Sequence, residues 1–170
     1  MTGNVRRNMK QLQKIPTGSE EILPLTAKDV LQLKGPKVHT IGPEETALAA
    51  TQVLTTHSIG TLLVVDGGHN IVGILSERDV LRAMASDFDG LRERKVSDLM
   101  TTRVIVGLVE DSLDTVMSIM TDKRIRHLPI VDDGKLAGIL SIGDMVKARA
   151  HHAEVAARYL SDYIRGTYPS

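Results

Sequence analysis

The sequence predicts an α/β protein (of the α+β type) made of two β-α-β-β-α repeats packed by pseudo-two-fold symmetry. Three observations predict this: one short motif occurs twice, paired apolar runs precede it each time, and the same helical spacing precedes each pair. GILSERD at 73–79 returns as GILSIGD at 138–144. Internal similarity of this kind indicates a duplicated structural unit.

Each copy follows the same order of predicted elements. A β-branched run predicts a strand at 38–41 and at 104–106. A helix follows, because apolar positions 113, 116, 117 and 120 share one helical face, with Ser112 as the N-cap, and apolar or small counterparts stand at 47, 50, 51 and 54. Apolar runs around glycine-containing turns predict the hairpins 62–65 with 71–75 and 128–131 with 136–140. A second helix is predicted after Ser76 and after Ser141.

The organisation along the chain follows from the repeat. We expect a polar, partly flexible leader over 1–27, the first repeat over 28–90, the second over 91–150 and a C-terminal helix extension over 151–170. Single helical turns at 29–31 and 98–100 are expected to lead into the copies. One three-stranded sheet leaves a face uncovered, so we expect the two copies to fold as one unit.

The last helix is expected to continue well beyond the second repeat. Its apolar positions Val155, Tyr159, Leu160 and Ile164 precede Gly166, a suitable C-cap. An apolar face of this length favours packing on the module's own flank or on a second chain, and we expect a homodimer.

Composition excludes several function classes. Lys plus Arg and Asp plus Glu number 21 each and aromatics make up 2% of 170 residues, so an overall basic excess and stacking platforms for nucleic acid are lacking. The absence of cysteine excludes disulfides, thiol nucleophiles and thiolate zinc sites. No apolar run approaches the roughly 18 residues that span a bilayer. We expect a soluble, cytoplasmic protein with no nucleic-acid or membrane partner.

Over roughly residues 26–149 the sequence resembles a stand-alone tandem pair of cystathionine-β-synthase (CBS) domains. The resemblance is carried by the duplicated Gly-Ile-Leu-Ser-x-x-Asp motif, the Val-Asp ends of both first hairpin runs (65–66 and 131–132) and the run Arg-His-Leu-Pro at 126–129. It implies two clefts that bind AMP, ADP, ATP, NAD(H) or S-adenosylmethionine, a disc-shaped dimer, and regulation of another, unknown protein. No metal is required by this interpretation.

The duplicated motif itself suits a sugar phosphate. Asp79 and Asp144 can each accept hydrogen bonds from both hydroxyls of a ribose, and Ser76 and Ser141 lie where free backbone N–H groups favour phosphate. A capping box, in which the acid bonds back to the N-cap residue, explains the same spacing. The chemistry of these residues alone leaves both ribose binding and helix capping open. The family resemblance favours ribose binding in at least one copy.

Segments before each hairpin are the expected adenine contacts. The alternative for most of them is an ordinary core strand, and for Gly60 a plain turn. The candidate residues are Val38, His39, Thr40, Ile59, Gly60 and Thr61 in the first copy, and Val104, Ile105, Leu128 and Pro129 in the second.

Basic residues supply candidate phosphate partners. They are Arg78 in the first copy and Lys123, Arg124, Arg126 and His127 in the second, with a solvated helix end as the alternative. Because the two copies differ in charge, we expect unequal clefts, one of which takes a dinucleotide or a nucleotide with more phosphates.

Three other functions stay open at this stage. The clefts are vestigial in a scaffold interpretation, and S-adenosylmethionine is an alternative ligand. An enzyme is disfavoured because no phosphate-binding glycine loop or nucleophile elbow occurs. His151, His152 and Glu154 could suggest a metal, but a solvated helix face is the better interpretation because adjacent histidines diverge on a helix.

Overall fold

The computed structural model describes residues 25–35 and 37–164, without the side chains of Tyr159, Asp162 and Tyr163. Most of the expected leader, residues 1–24, and the expected C-cap Gly166 lie outside this part of the chain. The elements are, in order, α1 (Ala27–Lys34), β1 (Thr40–Ile41), α2 (Ala47–His57), β2 (Thr61–Val65), β3 (Ile71–Ser76), α3 (Glu77–Ser86), a 3-10 turn (Gly90–Glu93), α4 (Val96–Leu99), β4 (Gly107–Leu108), α5 (Leu113–Asp122), β5 (His127–Asp132), β6 (Lys135–Ser141) and α6 (Ile142–Ile164).

The predicted order β-α-β-β-α is confirmed in both repeats. The first sheet has the order β1-β2-β3: β1 pairs parallel to β2, with Thr40 opposite Leu63, and β2 pairs antiparallel to β3, with Thr61 opposite Ser76. The second sheet has the order β4-β5-β6. The long last helix is confirmed as far as Ile164.

Two local predictions were wrong. The strand expected at 104–106 is instead the pair Gly107–Leu108, because backbone pairing with the central strand sets its position and the β-branched run before it does not. The turn expected at 29–31 is a longer helix, Ala27–Lys34, which Thr26 and Asp29 begin with a capping box.

The described chain divides into two compact units. Unit A holds residues 37–106 and 129–138, and unit B holds 25–35, 107–128 and 139–164. In unit A the helices α2 and α3 bury their apolar faces against the first sheet, and Leu62, Val64 and Leu75 are fully enclosed. In unit B, α1 and α5 pack on α6, and Val116, Met120 and Met145 are buried there.

Each leading helix packs beside the opposite repeat. In unit B the N-caps Thr26 and Ser112 form an antiparallel bridge, so that α1 starts beside the first helix of the second repeat. In unit A the N-caps Thr46 and Lys95 form the corresponding bridge, so that α4 starts beside the first helix of the first repeat. The predicted N-cap role of Ser112 is confirmed, since its hydroxyl accepts from the Thr115 N–H at 3.1 Å.

Candidate functional site

In the first repeat, the candidate residues of three chain segments meet at one end of the sheet. The carbonyl of His39 accepts a hydrogen bond from the Leu63 N–H at 3.4 Å, which places the segment before β1 beside β2. Thr61 lies opposite Ser76, and the Gly60 carbonyl accepts from the Glu77 N–H at 3.1 Å. The start of β2 and the start of α3 are therefore held together by backbone contacts.

Asp79 takes part in the capping interaction that its spacing allows. Its Oδ2 accepts from the Ser76 N–H at 2.9 Å and from the Ser76 hydroxyl at 2.6 Å. Its Oδ1 accepts from Arg82 at 3.0 Å, but that arginine side chain is 77% exposed. An exposed pair of this kind contributes about 0–1 kcal/mol, so a ligand hydroxyl can replace the guanidinium at little cost.

The second repeat has the same arrangement. The Arg126 carbonyl accepts from the Ile142 N–H at 3.0 Å, which joins the start of β5 to the start of α6. Asp144 Oδ2 accepts from the Ser141 N–H at 2.7 Å and from the Ser141 hydroxyl at 2.6 Å. The Ser141 hydroxyl in turn accepts from the Asp144 N–H at 3.2 Å, which completes the capping box.

Lys34 is part of this second arrangement, and the sequence analysis missed it. Its ammonium donates to Asp144 Oδ2 and to the Ile139 carbonyl, both at 2.8 Å. Burial raises the pKa of Asp144, but the hydrogen bonds from Lys34 and Ser141 outweigh that effect and hold the pKa below its ordinary value. No motif or repeat in the sequence links Lys34 to Asp144, which lies 110 positions further along the chain.

The remaining first-repeat candidates differ in exposure. Thr61 is buried, Val38 and Ile59 are half-buried, and Thr40 is exposed. The ring of His39 lies against that of His57, with 3.9 Å between the ring centroids. Burial, with the nearby His57 and Lys37, lowers the pKa of His39, which favours the neutral imidazole.

The candidate phosphate partners are exposed cations. Lys123 and Arg124 lie between α5 and β5, where Arg124 has a left-handed backbone (φ 53°) like Ser58 at the equivalent position (φ 51°). Within the described chain, the side chains of Arg78, Lys123, Arg124 and Arg126 make no hydrogen bond or ion pair, so they remain open to an anion.

Other second-repeat candidates fit backbone or packing roles. Leu128 and Pro129 are buried, His127 is half-buried at the start of β5, and Val104 and Ile105 are half-buried before β4. Ile105 and Pro129 belong to unit A, whereas the Ser141–Asp144 pair belongs to unit B. The structure therefore does not group these two residues with that pair.

The histidines of α6 are less solvated than expected. His151 and His152 are half-buried, and the Nε2 atom of each is enclosed without a hydrogen-bond partner in the described part of the chain. The expectation of a solvated face is therefore wrong for these two side chains. No group of three potential metal-ligating side chains occurs among the described residues, and none of their helices is long and apolar enough to cross a membrane.

Comparison with known families decides the relationship. The model of the CBS domain matches residues 26–86 and again 96–151. The chain belongs to the CBS domain family. A CBS-domain containing protein from Agrobacterium tumefaciens has a similar structure, with a TM-score of 0.71 and 40% identity, covering 73% of this chain and 92% of that one. The predicted family and fold class are confirmed.

Two similar CBS structures were solved with bound ligands. CBSX2 was crystallised in complex with AMP, and it matches with 27% identity and a TM-score of 0.62 over 74% of this chain and 96% of that one. The CBS domain pair of protein MJ0100 was crystallised with 5′-methylthioadenosine and S-adenosyl-L-methionine, and it matches with 25% identity and a TM-score of 0.67 over 76% and 98%. All three ligands contain adenosine.

Proposed function

We propose that this CBS domain protein is a non-catalytic regulatory module that binds an adenine nucleotide, of the AMP, ADP/ATP or NAD(H) type, and acts as a homodimer. One observation carries the proposal. In both repeats the Oδ2 atom of an aspartate accepts hydrogen bonds from the start of its own helix. The Oδ1 atom of Asp79 accepts from Arg82, which a ligand can displace, and the Oδ1 atom of Asp144 has no partner within the described residues. The adenosine ligands of similar CBS structures support it.

The chemistry of the ligand matches the groups present. The Oδ1 atoms of Asp79 and Asp144 would accept from the ribose hydroxyls, at Asp79 in place of Arg82, and the serine hydroxyls and helix starts would face the phosphate. The backbone of the segments that end at Gly60 and Arg126 would contact the edge of the base. Capping and ribose binding use different oxygens of the same carboxylate, so the two interpretations of the motif are compatible.

Regulation then requires that the ligand favours one of two arrangements of the protein. A ligand shifts such an equilibrium only by its difference in affinity for the two states. A partner protein would respond to the favoured arrangement. We place this function in the cytoplasm, and we keep 28–90 and 91–150 as the proposed limits of the two repeats.

A homodimer is supported by an exposed apolar stripe. Leu81 and Met84 on α3, and Phe88 just after it, are 61%, 36% and 72% exposed. The corresponding helix of the second repeat, α6, carries a second exposed apolar pair, Ile142 and Val146, which are 43% and 57% exposed. Clustered apolar side chains on a surface are typical of protein interfaces, and a two-fold dimer would cover the same stripe on both copies.

A thermal-shift panel of AMP, ADP, ATP, NAD, NADH and S-adenosylmethionine tests the ligand class. A ligand at 100 times its Kd stabilises the fold by about 2.7 kcal/mol, which raises Tm by several degrees. Asp79→Asn and Asp144→Asn should each weaken binding at least tenfold in calorimetry at the corresponding site, because a carboxylate that accepts two ligand hydroxyls is lost.

Asp29→Asn is the matched control. Asp29 caps α1 with nearly the same geometry, accepting from the Thr26 N–H at 2.8 Å and from the Thr26 hydroxyl at 2.7 Å, but it lies outside the duplicated motif. It should lower stability without changing affinity. If no adenosine ligand shifts Tm, the scaffold alternative is correct. If Asp79→Asn and Asp144→Asn bind as tightly as Asp29→Asn, the ligand does not use these carboxylates. A response to S-adenosylmethionine alone would select that ligand, and turnover of NAD or ATP would contradict the non-catalytic assignment.

A further inference from the structure

The cation that contacts the candidate ribose carboxylate differs between the two repeats. Asp79 pairs with Arg82 of its own helix, whose side chain is 77% exposed, whereas Asp144 pairs with Lys34, the last residue of α1. Lys34 extends its ammonium to Asp144 and to the carbonyl of Ile139.

A backbone carbonyl on the edge strand β6, that of Ile139, explains why Lys34 stays in place. In the first repeat the carbonyl of Ile74, on the edge strand β3, accepts from the Thr101 N–H at 2.9 Å. Its counterpart, the carbonyl of Ile139 on β6, accepts from the Lys34 ammonium. If Lys34 moved away when a ligand arrived, this carbonyl would lose a charge-assisted hydrogen bond, so the lysine is held there independently of Asp144.

The ammonium keeps capacity for a ligand. Two of its three N–H groups are used by Ile139 and Asp144, and the side chain is 31% exposed. Its charge also offsets that of Asp144. Two further positions add positive charge to the second repeat, because Arg124 and Arg126 stand where the first repeat has the uncharged Ser58 and Gly60.

We propose that Lys34 is a specificity-determining residue, which makes the second repeat select adenosine ligands that carry phosphate over uncharged ones. This inference rests on the proposed function and deepens it. The sequence predicted unequal sites, and we assign this inequality to Lys34. In the first repeat Asp79 pairs instead with Arg82, whose side chain is 77% exposed.

The test compares AMP with adenosine by calorimetry in the full chain. Asp79→Asn is introduced to suppress the first site, and Lys34→Met then removes the positive charge beside Asp144 while keeping an unbranched side chain. The Lys34→Met change should weaken AMP binding about three- to thirtyfold while adenosine binding changes less than twofold, as expected for loss of one unit charge near the phosphate. Lys147→Met, an exposed lysine on α6, is the control and should leave the preference for AMP intact.

Each other result has a defined meaning. Tighter binding of both ligands after Lys34→Met would show that the lysine blocks the site, and equal weakening of both would show that it only supports Asp144; either result overturns the inference and leaves the proposed function standing. Absence of binding by both ligands to the unmodified protein would overturn this inference, and absence of a Tm shift with every nucleotide of the panel would also overturn the proposed function. The comparison is repeated without Asp79→Asn, so that it does not depend on the folding of that variant.

Discussion

Asp79 and Asp144 each use Oδ2 for a structural hydrogen bond, while Oδ1 is bonded to the exposed Arg82 at Asp79 and has no partner among the described residues at Asp144. The Ser-x-x-Asp spacing was enough to predict both the capping box and the candidate ribose carboxylate, because both roles depend on two positions of one helical turn. Lys34 could not be predicted in the same way. It contacts Asp144 from a distant part of the sequence, and only the folded chain shows which leading segment lies beside which repeat.

The Lys34–Asp144 pair makes stability depend on pH in a predictable direction. The folded-state pKa of Asp144 lies below its ordinary value of 3.8, so the ionised carboxylate stabilises the fold above that pH. This contribution is lost as the pH falls from 3.8 through the folded-state pKa. Urea unfolding should therefore show a stability difference between the unmodified protein and Asp144→Asn that is largest near neutral pH and shrinks below about pH 4. A difference that grows on acidification would contradict the assigned direction.

At the scale of elements, the long apolar segments were predicted well and the short ones poorly. The hairpins and α5 follow from periodicity and turn residues, whereas β1 and β4 are very short and exist because a neighbouring strand offers pairing partners. The same reason explains α1, whose length depends on its cap and on packing with α6. Segments with few residues carry too little pattern to be located alone.

Packing of α4 against β3 gives an element-scale prediction. A Cβ at Gly73 would overlap the Met100 side chain, so Gly73→Ala should lower the free energy of unfolding by about 1–3 kcal/mol. Met100→Ala in the same chain should recover part of this loss, since it removes the overlapping atoms. Gly67→Ala is the control, because nothing lies within 4 Å of the added atom. Chemical denaturation checks all three, and equal effects of Gly73→Ala and Gly67→Ala would contradict this packing.

The two-repeat organisation of the molecule was predicted from the duplicated motif in its sequence. Two repeats with one element order followed from the sequence alone, but the segments that complete each unit did not. The bridges between Thr26 and Ser112, and between Thr46 and Lys95, connect residues far apart in sequence. The pattern of apolar and polar residues within one segment carries no information about which distant segment pairs with it. The repeat limits predicted from the sequence are therefore continuous ranges, whereas each compact unit combines separate parts of the chain.

The proposed dimer is tested at this scale. Leu81→Glu with Phe88→Glu places two charges in the exposed stripe and should convert a dimer of about twice the 18.5 kDa chain mass into a monomer, as measured by light scattering after gel filtration. Leu48→Glu is the control, because Leu48 is also exposed (43%) but lies on α2 rather than on α3. A monomeric unmodified protein, or a double variant that remains dimeric, would contradict this interface.

The bridge between Thr26 and Ser112 also constrains the order in which the chain acquires structure during synthesis. The helix that begins at Ala27 leaves the ribosome early, yet its hydrogen-bond partners at Val109 and Asp111 are synthesised only after the whole of the first repeat. By then residues 37–106, which form most of unit A, have already been made. This helix is therefore secured only after the first repeat has been made, and a nascent chain stalled before Val109 would present Ala27 and Val30, later fully buried, to chaperones and proteases.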